Sequence, residues 1–350
     1  MKNLRVKNIY AFSLLGLLFS ITLIFISNLV TAERKFWTEF YQTADVVDFS
    51  VMKRTPPDKP ITLMFVGDIM LDRGVEYMIK TAGKENWCWP FLKITDDLKQ
   101  ADVLFGNLES VISDKGKKVG SIYSFRADPK AIEGLIYARF DVLSIANNHI
   151  FDYGREAMED SFLRLKQAGI DCVGGGFSEK EARSPVIKEV KSTNPSTSSG
   201  QAKIAFLAYT NLGSKHWQAK ENQSGIVWLD EKITEDIKAA REKSDIVVVS
   251  MHFGEEYQLE PNLEQRYFAR LAIDSGADLV IGHHPHVVQR IEKYKEGYIV
   301  YSLGNFVFDQ GFSEETMRGL ILEVLIEDAK IKEVVPKEIR INRFFQPEIK

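Results

Sequence analysis

The chain has six histidines, and all but His216 stand in three short clusters: Asn147-Asn148-His149, Met251-His252-Phe253 and His283-His284-Pro285-His286. Two further groups carry acid or amide, Gly67-Asp68 and Asn107-Leu108-Glu109. Each of these groups follows an apolar run of strand character, such as Ile246-Val247-Val248-Val249 before His252. Ligands in open α/β sheets bind beyond the carboxyl ends of the strands. Metal-capable residues at several strand ends therefore predict one gathered site rather than scattered surface residues. Carboxylate, amide and imidazole together suit Mn, Fe or Zn and not a soft thiolate site. The candidate ligands are Asp68, Asn107 or Glu109, Asn148, His252, His284 and His286. They suffice for one ion, or for two ions about 3.5–4 Å apart that share a carboxylate.

The elements that must position them alternate along the chain. Strands are expected at 61–66, 102–105, 141–146, 170–173, 185–190, 202–209, 245–250 and 277–281. Helices are expected at 90–100, 129–139, 154–168, 231–243 and 263–275, from apolar residues at helical spacing. After His286 the pattern turns to strands at 287–293, 298–303, 320–326 and 331–341. Continuous apolar runs suit strands buried on both faces. The alternation predicts an α/β fold in layers, with antiparallel strands from the β-rich tail. The segment 192–200, rich in Ser and Thr, reads as an exposed loop between two strands.

Residues 1–8 are basic and 9–30 are almost wholly apolar, long enough for a helix that crosses a bilayer. Lys2, Arg5 and Lys7 precede that run without an acid, which places the N-terminus in the cytoplasm and the remaining chain outside. The expectation is a single-pass anchor in the cell membrane, with a stalk at 31–60 and an extracytoplasmic domain at 61–345. Small residues at 30–32 leave a cleaved signal and a secreted protein as the alternative. A net charge of −4 and no basic stripe exclude a nucleic-acid binder. Two cysteines, Cys88 and Cys172, are too few for a disulfide scaffold, and either one bridge or two lone thiols fits.

Six ordered motifs carry a resemblance: VGDIMLDRGV, FGNLES, LSIANNHIFDYG, VVVSMHFGEEY, IGHHPHVVQRIE and VYSLGNFVFDQ. From about residue 61 to 311 the chain resembles the CapA family of poly-γ-glutamate capsule biosynthesis proteins, itself similar to the calcineurin-like metallophosphoesterases. The resemblance implies a four-layer αββα sandwich of two mixed sheets. It implies that Asp68 is the first metal-binding aspartate, Asn148 the amide ligand, His252 the isolated histidine ligand and His284 with His286 the terminal pair. His149 matches the histidine that protonates a leaving group, a role suited to an imidazole.

Two departures stand out. Met70 occupies the place of a ligand histidine, and Asn107-Leu108-Glu109 stands where a bridging aspartate is usual. Either Glu109 bridges from its longer arm or Asn107 serves as a neutral ligand. Asp72 reads as a substitute ligand or a turn acid. Arg73 reads as a carboxylate or phosphate clamp, since guanidinium forks match both, or as a surface pair with Asp72 or Glu76. Asp152 either orients His149 or caps the helix that follows. His283 reads as a supporting or structural residue, and Asn305 as one that lines the site or turns the chain. The resemblance implies a metal-dependent hydrolase or transferase in synthesis, export or attachment of an anionic polymer such as poly-γ-glutamate. A polymer-binding scaffold beside synthase or export subunits is the second reading, and a plain metallophosphodiesterase the third.

Overall fold

No residue of the first strand, β1 (Ile61–Ile69), is exposed. Its side chains alternate between two apolar layers: Leu63 and Phe65 join one cluster, Met64 and Val66 another. A strand covered on both faces needs this pattern. The computed structural model describes residues 60–119, 121–191 and 201–350. The expected anchor, the stalk and the 192–200 loop lie outside them.

Beside β1, strands β2 (Val103–Leu108), β3 (Val142–Ser144) and β4 (Asp171–Val173) add in parallel. A second sheet is built from β5 (Val186–Lys191), β6 (Gln201–Thr210), β7 (Ile246–His252), β8 (Leu279–His283), β9 (Ile291–Tyr294) and β10 (Gly297–Val300). Its order is β9-β10-β8-β7-β6-β5, parallel in the middle and antiparallel at both edges. The chain then returns to the first sheet with β11 (Asn305–Val307), β12 (Arg318–Glu327), β13 (Lys330–Ile341) and β14 (Pro347–Ile349). There β11 runs parallel to the end of β1 on the side away from β2, and β12 pairs antiparallel with the start of β1 on that same side, followed outward by β13 and β14.

Phe65, Phe105, Phe206, Val248, Ile281 and Leu322, drawn from both sheets, share one buried cluster between them. Outside the first sheet pack α1 (Arg73–Lys80), α2 (Ala131–Ala138) and α3 (Gly154–Gln167), through Val75, Leu135 and Met158. Outside the second pack α4 (Ile233–Arg241) and α5 (Leu263–Asp274), through Ile237 and Phe268. Two mixed sheets thus lie face to face between helices.

The spacing over 90–100 predicts one helix, but the chain makes a 3-10 turn at Trp89–Phe91 and a single turn at Thr95–Leu98. Ile94 breaks the helical path with φ −125°, and the Thr95 hydroxyl donates to the Phe91 carbonyl at 2.7 Å. A side chain that bonds nearby backbone competes with helix propagation. The short helix α1, absent from the sequence expectations, starts at Asp72, whose Oδ1 accepts from the Arg73 N–H at 2.7 Å. Strand β1 continues three residues beyond its expected end, through Gly67. A Cβ at Gly67 would lie 1.9 Å from the Gly304 carbonyl oxygen, so only glycine lets the chain before β11 approach this closely.

Both cysteines are free thiols. Burial pushes Cys172 up to about 12 and also raises Cys88. Since the thiolate is the reactive form, both should alkylate slowly at neutral pH in the native protein and fast after unfolding. Thiol counting with and without denaturant checks this. Immediate labelling of Cys172 in the native protein would contradict that raised value.

Candidate metal centre

The C-terminal ends of four central strands meet at one edge of the sandwich. Asp68 of β1 stands opposite Asn107 of β2, and His252 of β7 opposite His283 of β8. The two sheets touch here through Asp68. Its Oδ1 accepts from the Asn107 amide at 2.8 Å and lies 3.2 Å from His283 Nδ1. Its Oδ2 accepts from the His284 N–H at 3.2 Å and lies 3.4 Å from His286 Nδ1. His284 and His286 both hold positive φ, 96° and 57°. Such backbone costs roughly 1–3 kcal/mol per residue outside glycine, and it clusters where a site over-determines it. Pro285 between them fixes that turn.

Glu109 lies just beyond β2 and is fully buried. Neither of its carboxyl oxygens has a hydrogen-bond partner among the described residues. Oε1 faces His286 Nε2 at 3.6 Å, His149 Nε2 at 3.8 Å and His252 Nε2 at 3.9 Å. These gaps exceed hydrogen-bond length. They match donors that share an ion, which stand roughly 3–4 Å apart when each lies about 2.0–2.2 Å from it. Two donor triads overlap here, Asp68-Glu109-His252 and Glu109-His284-His286, and Glu109 belongs to both. A buried carboxylate without a partner is costly, so its orphaned oxygens among imidazoles fit a divalent cation.

Charge follows the same geometry. Burial raises Glu109 well above the usual carboxylate range, and the neighbouring charges of Asp68, Glu256 and Asp152 push the same way. Burial would also raise Asp68, but contact with His283 and His286 outweighs it and holds that carboxyl well below its usual value. Burial, followed by His284, depresses His252, and burial with His286 beside it takes His284 down to about 3. These two imidazoles are therefore neutral near pH 7, the form that can ligate an ion.

Beside the triads stands a second arrangement. His149 Nδ1 lies 2.7 Å from Asp152 Oδ2, and the same oxygen accepts from the Phe125 N–H at 2.7 Å. The Phe125 ring stacks on the His149 ring at 4.0 Å, and the Arg73 guanidinium lies 5.0 Å from the Phe125 centroid. Arg73 is itself held by Asp309, whose Oδ2 accepts from Nε at 3.1 Å and from the Gly74 N–H at 2.9 Å. Asp152 does not cap α3, which starts without a side-chain cap. Sequence reasoning missed Phe125 and Asp309. Phe125 sits at no apolar strand end and lies 24 positions before the histidine it covers, so no local signal marks it; Asp309 follows the apolar run Phe306-Val307-Phe308, the same signal that marks the other acids.

The other candidates fall around this core. Asn148 Oδ1 lies 2.8 Å from His252 Nε2, beside the first triad. The Asn107 amide is taken up by Asp68 and by His252 Nδ1 at 3.2 Å, so it orients two candidate ligands. Asn305 Oδ1 meets His286 Nδ1 at 3.0 Å and sets its ring. His283 is fully buried against Asp68, but its nitrogens are not aligned for a hydrogen bond. The Asp72 carboxylate is spent on the Arg73 and Arg126 N–H groups, as a cap and not a ligand. Met70 is buried, with its sulfur 3.1 Å from the Asp72 backbone nitrogen. Surface residue His216 belongs to a short turn, Lys215–Trp217, with no buried residue.

Residues 62–310 match the family model described as bacterial capsule synthesis protein PGA_cap. The PGA biosynthesis protein CapA of Bacillus subtilis is 34% identical over 271 residues, covering 77% of this chain and 68% of that protein. The capsule biosynthesis protein CapA of Bacillus anthracis is 32% identical over 293 residues, covering 81% of this chain and 68% of that protein. Among solved structures, a novel phosphatase of Mycoplasma pneumoniae aligns at 15% identity with a TM-score of 0.47, over 81% of this chain and 94% of that one. With the model matched across most of the described domain and two such relatives aligned over most of both lengths, the chain belongs to the PGA_cap family of bacterial capsule synthesis proteins.

Proposed function

We propose that this chain is an extracytoplasmic, membrane-anchored enzyme of capsule biosynthesis, a metal-dependent hydrolase or transferase acting on an anionic polymer of the poly-γ-glutamate type. Family membership and the two CapA relatives support the capsule role. The apolar run at 9–30 supports the anchor. The observation that carries the chemistry is Glu109: a buried carboxylate without a hydrogen bond, ringed by imidazole nitrogens, next to a paired His149–Asp152.

Asp68, Glu109, His252, His284 and His286 would hold the ion or ions, with Asn148 at their margin and Glu109 as the shared carboxylate. A bound divalent ion supplies Lewis-acid polarisation and neutralises developing negative charge. Asp152 fixes the His149 tautomer through Nδ1, which leaves Nε2 turned to the ion site. In the imidazolium form, whose charge Asp152 balances, Nε2 also carries a proton, and it gives that proton to the leaving oxygen or nitrogen. Phe125 covers one face of the ring and holds water off it. Asn107 and Asn305 keep His252 and His286 oriented.

A scaffold reading has one observation in its favour: Met70, where a ligand histidine is usual, is packed in the core and offers no donor to a hard ion. Metal analysis of the full-length protein decides between them. The enzyme reading expects bound Mn, Fe or Zn in the purified protein and loss of that metal in His284→Ala. A protein with no metal and no affinity for Mn or Zn would sink it. Hydrolysis of a generic aryl phosphodiester at the same rate as a γ-glutamyl polymer would point to a plain phosphodiesterase.

A further inference from the structure

The loop after β11 and the end of β13 line an open cavity of about 640 Å³, through Phe312, Ser313, Glu314, Met317, Arg340 and Arg343 among others. The loop is tied to the metal centre by Asn305. Its Oδ1 meets His286, and its amide donates to Gln310 Oε1 and to the Thr316 carbonyl, each at 3.0 Å. Gln310 donates in turn to the Tyr257 hydroxyl at 3.3 Å. The Tyr257 ring lies 6.1 Å from that of His286 and 5.1 Å from that of Phe312, which is 66% exposed. Asn305, Gln310 and Tyr257 thus link His286 to Phe312, which lines that cavity with the two arginines.

Two arginines and one carboxylate, that of Glu314, line the cavity. Arg340 of β13 stands directly opposite Arg318 of β12, and like charges facing each other across strands destabilise a sheet. Arg318 is balanced by Glu314 at 3.4 Å. On the other side of Arg340 stands Glu348 of β14, but its carboxylate accepts from the Asn342 amide at 2.7 Å. Arg343 lies over the Phe344 ring at 4.7 Å. Neither Arg340 nor Arg343 makes an ion pair with a carboxylate among the described residues. Most other arginines do, Arg73, Arg164, Arg183, Arg241 and Arg270 among them.

We infer that Arg340 and Arg343 form a subsite for the carboxylates of an anionic polymer, next to the residues undergoing reaction at the metal centre. Guanidinium forks match carboxylates in two-point contact. The exposed Phe312 ring offers apolar contact to the methylenes between them. The subsite holds the chain in register, so it acts on affinity and on the length of polymer accepted, while the bond-making groups stay those of the metal centre. The inference rests on the polymer reading given under Proposed function.

The test is binding of a fluorescent γ-linked oligoglutamate to the full-length protein in detergent, with chelator present so that the ion does not contribute. Arg340→Gln/Arg343→Gln should weaken binding at least tenfold and flatten its salt dependence, because exposed ion pairs are screened as salt rises. A neutral oligoglutamine of equal length should bind no better to wild type than to the double variant. Removing the facing charge of Arg340 should not lower the thermal midpoint. Arg343→Gln alone, outside β13, gives the same reading with a smaller loss. Wild-type affinity in the double variant, or no binding by wild type, overturns the subsite. Metal content and His149-dependent turnover are separate readouts, so the metal-centre chemistry survives or fails independently.

Discussion

Glu109→Gln is expected to lose the bound ion and yet to leave the ion-free protein at least as stable as wild type. In wild type both carboxyl oxygens are buried without partners, and burial together with Asp68, Glu256 and Asp152 disfavours the charged form. An unsatisfied buried polar group costs about 1–3 kcal/mol. Glutamine keeps the shape, removes the charge and brings an N–H group that can donate to the imidazole nitrogens now facing Oε1. In chelator the variant should therefore melt level with wild type or a few degrees above it, since about 1 kcal/mol corresponds to roughly 2–4 °C in a domain of this size. With Mn or Zn in excess the order should reverse. An ion at about a thousand times its dissociation constant stabilises the folded state by roughly 4 kcal/mol, and the variant forgoes this. The pair of melting curves, with metal analysis of each sample, makes the check. Wild-type metal content in Glu109→Gln would remove the shared carboxylate from the site, and a large loss of stability in chelator would mean that Glu109 is structural.

His149→Ala is expected to keep its metal and lose turnover by roughly 10²–10⁴-fold, the range of a missing general acid. The metal should stay because His149 belongs to neither donor triad. On the enzyme reading the proton donor goes with His149, because its Nε2 is turned to the Glu109 carboxylate with Nδ1 held by Asp152. Asp152→Asn should cost less, about 10–100-fold, by loosening the tautomer and the ring. Its Oδ2 also anchors the Phe125 N–H, so part of that loss comes through the stacked ring. Turnover on a γ-glutamyl polymer and metal content of the same preparations are the measurements. Cells carrying His149→Ala that make as much polymer as wild type would hand the function to the scaffold reading.

Much of the frame was legible locally. Continuous apolar runs announce strands, and most of those expected are present within a residue or two. The metal-capable residues at their ends converge because the parallel strands of each sheet end at one edge and the two sheets meet there. The stretch 90–100 was misread for an equally local reason: its apolar spacing is helical, while Thr95 and Ile94 turn the backbone away. Arg73 shows the opposite limit. Its type suits a clamp, but Asp309, 236 positions away, already engages the guanidinium.

By itself the sequence determined the layered α/β order, the donor types and the strand ends that carry them, because side-chain periodicity and residue chemistry are properties of short segments. Only the tertiary structure decided which carboxylate the imidazoles surround. Asn107 and Glu109 are two positions apart on one segment, and their roles separate because the bulged edge of β1 lays Asp68 against Asn107 and leaves Glu109 facing the second sheet. The same holds for Phe125 on His149 and for Arg340 opposite Arg318. Those contacts depend on register and on how two sheets and their loops pack, and no segment of the chain encodes that alone.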